Sequence, residues 1–327
     1  MAVELLVHQA PAGMVSTPKL LMMQTHEPDD AILRTLLYAD VFDYPLTPAE
    51  IHYYLIASPA AAPAPPEVIE AALRSSAWLT TRVTRVNGYV TLRDREAIGA
   101  VRDERRRHSA DLWAHARRWG YWLGCLPFVR LVAVTGALAV DNSPPGDDID
   151  FLLVTAPGRV WLARALAVVL VRLARLRGVG LCPNYVLAHS ALAQAQRNLY
   201  AAHDLQQMVP LVGQGVYREM QAANAWSREY LPHAHGPLRA EPEQPPRGWG
   251  ARWQRWGERL LGGRLGDRVE AWERARKQRK FASAARQPHA AAELDGEHVK
   301  GHFEDNGRPI LREFQARLER YGGADQR

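Results

Sequence analysis

Two aspartates lie one residue apart where a polar loop meets an apolar run. The stretch TGALAVDNSPPGDDIDFLLVT, residues 135–155, places Asp148 and Asp150 on either side of Ile149. Alternate side chains of a β-strand point to the same face, so the two carboxylates lie together while Ile149 points into the core. Neighbouring carboxylates repel each other unless a cation lies between them, and Mg²⁺ prefers oxygen ligands. The pattern predicts a magnesium site, with Asp147 facing away from it.

A glycine marks the turn after the preceding apolar run, FVRLVAVTG, residues 128–136. Gly136 lacks a side chain, so backbone N–H groups at this turn can approach a phosphate closely, and Ala137 supplies a second amide. A phosphate loop beside a metal-binding carboxylate pair suits a nucleoside triphosphate. At such a site a hydroxyl attacks the α-phosphorus and pyrophosphate leaves.

Five further residues are weaker candidates, and each has a structural alternative. Asn142 and Ser143 lie in the loop between the two runs, close enough in sequence to contact the leaving phosphates. Arg159 opens the following helix and could reach a triphosphate, although a solvated helix start is an equal alternative. His203 could line a base pocket or be an ordinary core histidine, and Tyr185 could stack on a base or pack in a strand.

The order of apolar strand, Gly-Ala, short spacer, Asp-Ile-Asp and apolar strand resembles the signature of the DNA polymerase β-like nucleotidyltransferase superfamily. By position, Gly136 resembles the phosphate-loop glycine, and Asp148 and Asp150 resemble the metal ligands. The stretches VFDYPLT, CPNYVLAHSAL and YAAHDLQQMVPL resemble a bacterial group of proteins with this domain. The resemblance is tight around the Asp-Ile-Asp and looser over 126–190. It implies a mixed sheet with flanking helices, an NTP substrate and one or two Mg²⁺ ions.

Two positions depart from the family pattern. Ala137 stands where the family usually has serine or glycine, which removes a hydroxyl but keeps the backbone contacts. The family's third carboxylate belongs on a strand after the long helix, and the matching LCPNYVLA contains no acid. Asn184 takes that position, where an amide can orient the acceptor or a metal-bound water but is a poor proton acceptor. The base therefore comes from elsewhere, the substrate needs little activation, or the domain binds nucleotide without fast turnover.

Composition is that of an ordinary globular protein. The 327 residues are 47% hydrophobic and 23% charged, with a formal net charge of +6 that permits a polyanionic partner without requiring one. Two cysteines exclude a disulfide framework and a zinc cluster and fit the cytoplasm. The first residues do not resemble a signal peptide, and the apolar stretch 160–176 contains three arginines. We expect a buried or half-buried helix there and no membrane partner.

In the first third of the chain, the sequence pattern predicts a loose leader over 1–28 and a winged-helix-like domain over 29–93. Thr47-Pro-Ala-Glu has the form of a capping box at a helix start, and Asn87-Gly88 predicts a hairpin between two alternating strands. One interpretation is DNA binding, with Arg82 and Arg85 in the wing contacting phosphates. The other is a small module used for protein packing.

The remaining domains are predicted as a basic helical connector (94–125), a nucleotidyltransferase domain (126–240) and a helical C-terminal extension (241–327). EPEQPPRG, residues 241–248, has the composition of a linker. The stripe of Trp249, Trp253 and Trp256 is typical of a packing face. A final amphipathic helix is expected to be capped near Asn306.

These predictions combine into an α+β protein with a nucleotidyltransferase fold between a winged-helix-like domain and a helical extension. The leading hypothesis is Mg²⁺-dependent transfer of a nucleoside monophosphate from an NTP to an acceptor that is a protein, a nucleic acid or a small molecule. One alternative is a catalytically weak, nucleotide-sensing regulator that binds DNA. Another is an antitoxin-like or scaffold protein that uses the tryptophan stripe to contact its partner.

Overall fold

The computed structural model describes residues 27–56, 64–281, 295–300 and 307–322. Residues 1–26 of the predicted leader (1–28) and the predicted cap at Asn306 lie outside these residues, and the first described helix already begins at Glu27. The protein is α+β, with helices packed around a mixed five-stranded sheet and a separate two-stranded hairpin. The strands are β1 (Val83–Val86), β2 (Tyr89–Leu92), β3 (Val129–Val134), β4 (Ile149–Thr155), β5 (Leu181–Ala188), β6 (Val209–Val212) and β7 (His298–Lys300).

The helices surround both sheets. They are α1 (Glu27–Asp40), α2 (Pro48–Tyr53), α3 (Pro66–Ser75), α4 (Ala77–Thr80), α5 (Ile98–Gly124), α6 (Gly136–Ala139), α7 (Val160–Arg175), α8 (Leu199–Gln207), α9 (Gln214–Ala223), α10 (Ser227–Tyr230), α11 (Gly248–Leu261), α12 (Arg264–Phe281) and α13 (Gly307–Gly322). No helix among the described residues is both long enough and apolar enough to cross a membrane.

Local signals in the first module are confirmed. Thr47 accepts a hydrogen bond from the backbone N–H of Glu50, whose carboxylate accepts from the backbone N–H of Thr47, so the capping box is complete. Asn87 and Gly88 both have positive φ, at 52° and 83°, which matches the right-handed twist of a two-residue hairpin. The two strands pair antiparallel around this turn.

The main sheet has the strand order β6-β3-β4-β5-β7. Strand β4 pairs parallel with β5, and the β3–β4, β3–β6 and β5–β7 pairs are antiparallel. Helix α7 makes the crossover between the parallel pair, as parallel strands require. Sequence patterns predicted β3, β4 and β5 but not β6 or β7, which form the two edges.

The two faces of the sheet belong to different apolar cores. On one face, alternate residues such as Leu131 and Leu152 join a core with α1, α8, α9 and α13. On the other, Val132 and Phe151 join a core with α5 and α7. Because side chains alternate along a strand, Asp150 shares the face of Leu152 and thus lies on the side of α8.

Two segments expected to connect domains are integral to the packing. Helix α5 buries Trp113 and Ala116 completely against the sheet. In the expected linker, the Glu241 side chain is 4% exposed and its carboxylate pairs with Arg117 at 2.8 Å. Proline-rich composition in 241–248 therefore reflects an extended segment laid along the protein surface.

Candidate functional site

A cavity of about 550 Å³ opens between the sheet and α8. The Asp-Ile-Asp end of β4 forms its floor, and α8 forms one wall. The residues that line the cavity include Thr135, Gly136, Asp147, Asp148, Asp150, Cys182, Asn184, Tyr185, Gln194, Tyr200 and Asp204. Acidic side chains therefore line the cavity both at the sheet, where Asp148 and Asp150 lie, and on α8, where Asp204 lies.

Asp148, the residue just before β4, and Asp150, the second residue of β4, line the same cavity. The backbone carbonyl of Asp150 accepts from Thr135 N at 3.0 Å, which ties the start of β4 to the end of β3. Ile149 between them is fully buried in the opposite core. The Asp148 carboxylate lies over Gly180, where a side chain would collide with it.

Gly136 lies directly against the Asp150 carboxylate. Its φ is +68°, and a β-carbon built there would lie 2.8 Å from Asp150 Oδ2. Both the backbone conformation and the available space therefore require glycine. The turn predicted to bind phosphate and the carboxylate predicted to bind metal are thus in contact.

Negative charge is concentrated at this point. Burial raises the pKa of Asp150 to about 7, and the charges of Asp147, Asp148 and Asp204 add to the effect. Burial also raises the pKa of the Cys182 thiol to about 11, and the charges of Asp150 and Asp148 contribute. The site therefore favours a bound cation, and it makes ionisation of its own carboxylates less favourable.

Asn184 lines the same cavity because β5 has a bulge. The register between β4 and β5 shifts between Phe151 and Leu152, so that Leu152 faces Tyr185. The Cys182 thiol donates to Asn184 Oδ1, and the Asn184 side chain hydrogen bonds to Asp150. With its oxygen held by the thiol, the amide presents its N–H₂ group to the carboxylate. In this arrangement Asn184 positions Asp150.

Two acids in the cavity were missed or misplaced by sequence reasoning. Asp204, on α8, lines the cavity and its charge contributes to the raised pKa of Asp150. Asp147 was expected to face away, but it also lines the cavity because it lies in the turn before β4, where strand alternation does not apply. No sequence motif marks Asp204 on its helix, because it comes close to the sheet only in the tertiary fold.

Other predicted site residues lie elsewhere. Asn142 and Ser143 are buried and join the loop to the turn after α1 and to α5: Asn142 Nδ2 donates to Phe42 O at 3.2 Å, and Ser143 N donates to Ser109 Oγ at 3.1 Å. Neither lines the acidic cavity. Asn142 and Ala137 line an adjoining cavity instead.

Arg159 is also away from the acidic cavity. It follows the far end of β4 and pairs with Asp267 of α12 at 2.7 Å. Its guanidinium lies over the ring of Phe128 and donates to Gly262 O. The structure thus makes Arg159 a contact between the sheet and the C-terminal helices.

The wing arginines are engaged within the first module. Arg85 pairs with Glu70 of α3 at 2.7 Å. Arg82 lies 4.1 Å over the ring of Trp78 and donates to the Trp78 carbonyl. Both arginines are thus engaged in contacts within the module. This geometry does not add support for a role of either side chain in binding DNA phosphates.

The carboxylates fit a divalent cation that is shared with a substrate. Within the described part of the chain, no three histidine, cysteine or acidic side chains converge as a ready metal site. Asp148 and Asp150 offer oxygen donors in a pocket of excess negative charge, the donor set that Mg²⁺ shares with substrate phosphates. The residues present suit a metal that has further ligands from a bound anionic group.

Comparisons with protein-family models, with curated proteins and with solved structures give no match to this chain. The functional conclusion therefore depends on the site itself.

Proposed function

We propose that the protein is a Mg²⁺-dependent nucleotidyltransferase, which moves a nucleoside monophosphate from an NTP to an acceptor. The observation that supports this most directly is the contact between the Gly136 turn and the Asp150 carboxylate in an acidic cavity. It joins a backbone suited to phosphate with a carboxylate pair suited to a metal. The adjoining Asn184 is consistent with a third position of the family pattern.

Asp148 and Asp150 are the residues that would hold Mg²⁺. When bound, the metal would neutralise phosphate charge in the transition state and make pyrophosphate a better leaving group. The chain's own groups do the rest of the positioning. Backbone N–H groups at Gly136 orient phosphate, and the Asn184 amide fixes the Asp150 carboxylate.

Asp204 is the proposed proton acceptor in place of the absent third carboxylate on β5. It lies on the opposite wall of the same cavity, close enough to Asp150 for their charges to interact. In the transfer, the acceptor oxygen forms a bond to the α-phosphorus while the bond to the bridging oxygen breaks. Pyrophosphate leaves with that electron pair, and the acceptor's proton passes to an Asp204 carboxylate oxygen.

Label transfer tests the proposal. The full chain is incubated with Mg²⁺ and NTPs labelled at the α-phosphate, with bacterial RNA, DNA, protein or small-molecule extract as acceptor. We expect label in one acceptor class and release of pyrophosphate. Asp148→Ala and Asp150→Ala should abolish both, whereas Asp111→Ala, which removes an exposed acid on α5, should not.

Other outcomes separate the alternatives. Retained nucleotide without transfer would favour the nucleotide-sensing regulator. Transfer that survives in both aspartate variants would show that the assignment of the site is wrong. Loss of transfer in Asp204→Asn with unchanged Mg²⁺–NTP affinity would support the role given to Asp204.

A further inference from the structure

A second cavity adjoins the acidic one. It has a volume of about 470 Å³ and shares Gly136, Tyr200 and Asp204 with its neighbour. Its walls come from α1, the α6 turn, α8 and the start of α13. It therefore lies between the first module, the sheet domain and the C-terminal helix, and opens beside the proposed phosphate loop.

Aromatic rings dominate this second cavity. The rings that line it are Tyr38, Phe42, Tyr44, Tyr54, Tyr200 and His203. Many polar atoms among the lining residues are already bonded to the protein: Tyr44 Oη donates to Val140 O at 3.0 Å, and His203 Nδ1 bonds to Leu199 O at 3.0 Å. What the cavity offers a ligand is mainly ring surface.

The charge of the second cavity differs from that of the first. Asp204, at the junction, is the only acid among the described residues that line it, and no lysine or arginine is among them. Burial lowers the pKa of His203 to about 4, so its imidazole is neutral at physiological pH. Such a lining suits an uncharged planar ring and disfavours phosphate.

We propose that the second cavity binds an uncharged planar aromatic group of a substrate. This inference depends on the proposed function for its context, since the ring would enter beside the Gly136 turn while phosphates occupy the acidic cavity. Two sources share this chemistry: the nucleobase of the NTP, or an aromatic acceptor. Contacts from α1 and α13 would then determine which aromatic group the cavity binds.

Calorimetric titration of the full chain with Mg²⁺ tests this. The probes are ATP, inorganic tripolyphosphate, adenosine, indole and quinoline. Ile310→Trp on α13 and Ala39→Leu on α1 each place a larger side chain in the cavity lining. Arg312→Trp places the same indole on an exposed position of α13 and is the matched control.

We expect at least one ring probe to bind the wild type and to lose tenfold or more in both filled variants, but not in the control. If the ring is the nucleobase, ATP and adenosine weaken while tripolyphosphate is unchanged. If it is an acceptor, ATP is unchanged while indole or quinoline binding is lost, including when ATP is saturating. Ring binding that is absent from the wild type, or equal in all variants, overturns the proposal. Failure of tripolyphosphate to bind with Mg²⁺ would instead count against the proposed function.

An independent feature is the outer face of α11 and α12. Trp249, Trp253, Trp256 and Leu260 repeat at helical spacing and are 84%, 52%, 56% and 51% exposed. The tryptophan stripe was expected to be a packing face, and that expectation is wrong. The buried side of α11 instead uses small and polar residues: Gly257 packs on Pro127.

Positive charge accompanies the exposed tryptophans. Arg252, Arg255 and Arg259 lie on exposed positions of α11, and Arg264 and Arg268 on those of α12. Three acids of the same helices bond to groups on neighbouring elements, and of these the Asp267 side chain stays 61% exposed. Glu258 pairs with Arg130 at 2.7 Å, Asp267 pairs with Arg159 at 2.7 Å, and Glu270 accepts from the backbone N–H groups of Trp161 and Leu162.

We infer that this face binds an anionic membrane surface. Exposed tryptophan and leucine side chains next to arginines are typical of a helix that lies in the lipid headgroup region. The charge of the face complements anionic lipid, and the aliphatic Leu260 and Leu265, each more than half exposed, suit acyl chains rather than nucleic acid. The inference departs from the expectation of no membrane partner, which considered only spanning segments and signal peptides.

Vesicle co-sedimentation tests this second proposal. The full chain is mixed with vesicles of phosphatidylcholine alone or with 30% phosphatidylglycerol. We expect binding only to the anionic vesicles, weakened by salt. Trp253→Ala combined with Trp256→Ala should reduce it tenfold or more. Trp122→Ala, which removes an exposed tryptophan from α5, should leave it unchanged.

Three results would overturn the membrane assignment. One is equal sedimentation of wild type and the double variant. Another is a stable dimer in analytical ultracentrifugation that the double variant dissociates, which would assign the face to a second copy. The third is salt-sensitive duplex or RNA binding through this face without vesicle binding.

Discussion

At the scale of single residues, the carboxylate of Asp150 at the start of β4 lowers the stability of the fold when it is ionised. Asp150 is largely buried beside other carboxylates, and its pKa of about 7 lies well above its ordinary value of 3.8. A group whose pKa is raised by folding binds its proton more tightly in the folded state. Its ionised form therefore costs stability at pH values above 7, and this cost disappears as the pH falls towards 4.

Asp150→Asn should stabilise the metal-free protein at pH 8. The amide keeps the shape of the side chain and removes the buried charge, so the free energy of unfolding should rise by about 2 kcal/mol, since one pKa unit is worth about 1.4 kcal/mol and the group is partly screened. The gain should shrink as the pH is lowered to 5. Urea unfolding with EDTA at both pH values measures it, and a loss of stability at pH 8 would contradict the pKa assigned to this group.

Mg²⁺ should reverse the order of stability. With 10 mM Mg²⁺ and a non-hydrolysable NTP, the wild type should gain several degrees in Tm because ligand binds only the folded state. Asp150→Asn should gain little, and Asp111→Ala should behave as the wild type. Equal gains in all three would remove Asp150 from the metal site.

Asn184→Asp tests the position of the absent third carboxylate. An acid there would face Asp150 across the β4–β5 pair, where Asn184 now donates a hydrogen bond. We expect lower stability without metal, because like charges are brought together, and a larger Mg²⁺-induced rise in Tm than in the wild type. Asn184→Ala is the control. It should lose stability without gaining Mg²⁺ affinity.

At the scale of elements, α8 holds both a site residue and a buried base. His203 stacks on Tyr38 at 4.1 Å and is buried, which lowers its pKa to about 4. Its imidazole is neutral in the folded state and takes up a proton more readily in the unfolded chain. Stability from this group is therefore complete above pH 6.5 and is lost as the pH falls towards 4.

His203→Phe should make stability less dependent on pH. It keeps an aromatic ring against Tyr38 and removes the buried base, so the loss of unfolding free energy between pH 7 and pH 4.5 should fall by about 2 kcal/mol relative to the wild type. Urea titrations across this range measure the difference. His115→Phe, at an exposed position of α5, should leave the pH slope unchanged.

The sequence predicted elements whose signals are local. The Thr47 capping box, the Asn87-Gly88 hairpin and the alternating carboxylates of β4 each depend on neighbours in the chain. Strand β6 was missed because VPLV is too short and too uniformly apolar to distinguish from the end of α8. Asp204 and the bulge at Asn184 were not predictable, because they acquire their roles only when α8 and β5 meet β4.

At the scale of the molecule, the first module and the sheet domain form one packed body. Residues of α1 and β2 share an apolar core with the sheet residues Leu131 and Leu152. Arg102 of α5 joins them through a charged contact: it is 8% exposed, pairs with Glu50 of α2, and lies 4.2 Å over the ring of Tyr44. The sequence pattern therefore changes near residue 93, but the residues before and after this position share one apolar core.

This shared core predicts cooperative unfolding of the two parts. Arg102→Met removes one partner of a buried ion pair and leaves Glu50 uncompensated, so we expect a loss of about 3 kcal/mol of unfolding free energy. Hydrogen exchange measured by mass spectrometry should show the loss equally in β2 and in β4. The double variant Arg102→Met with Glu50→Gln should recover part of it, since the uncompensated charge is gone. Exchange that accelerates in β2 alone would mean that the first module opens independently, and that the second cavity, which needs α1 as a wall, can be lost without unfolding the sheet.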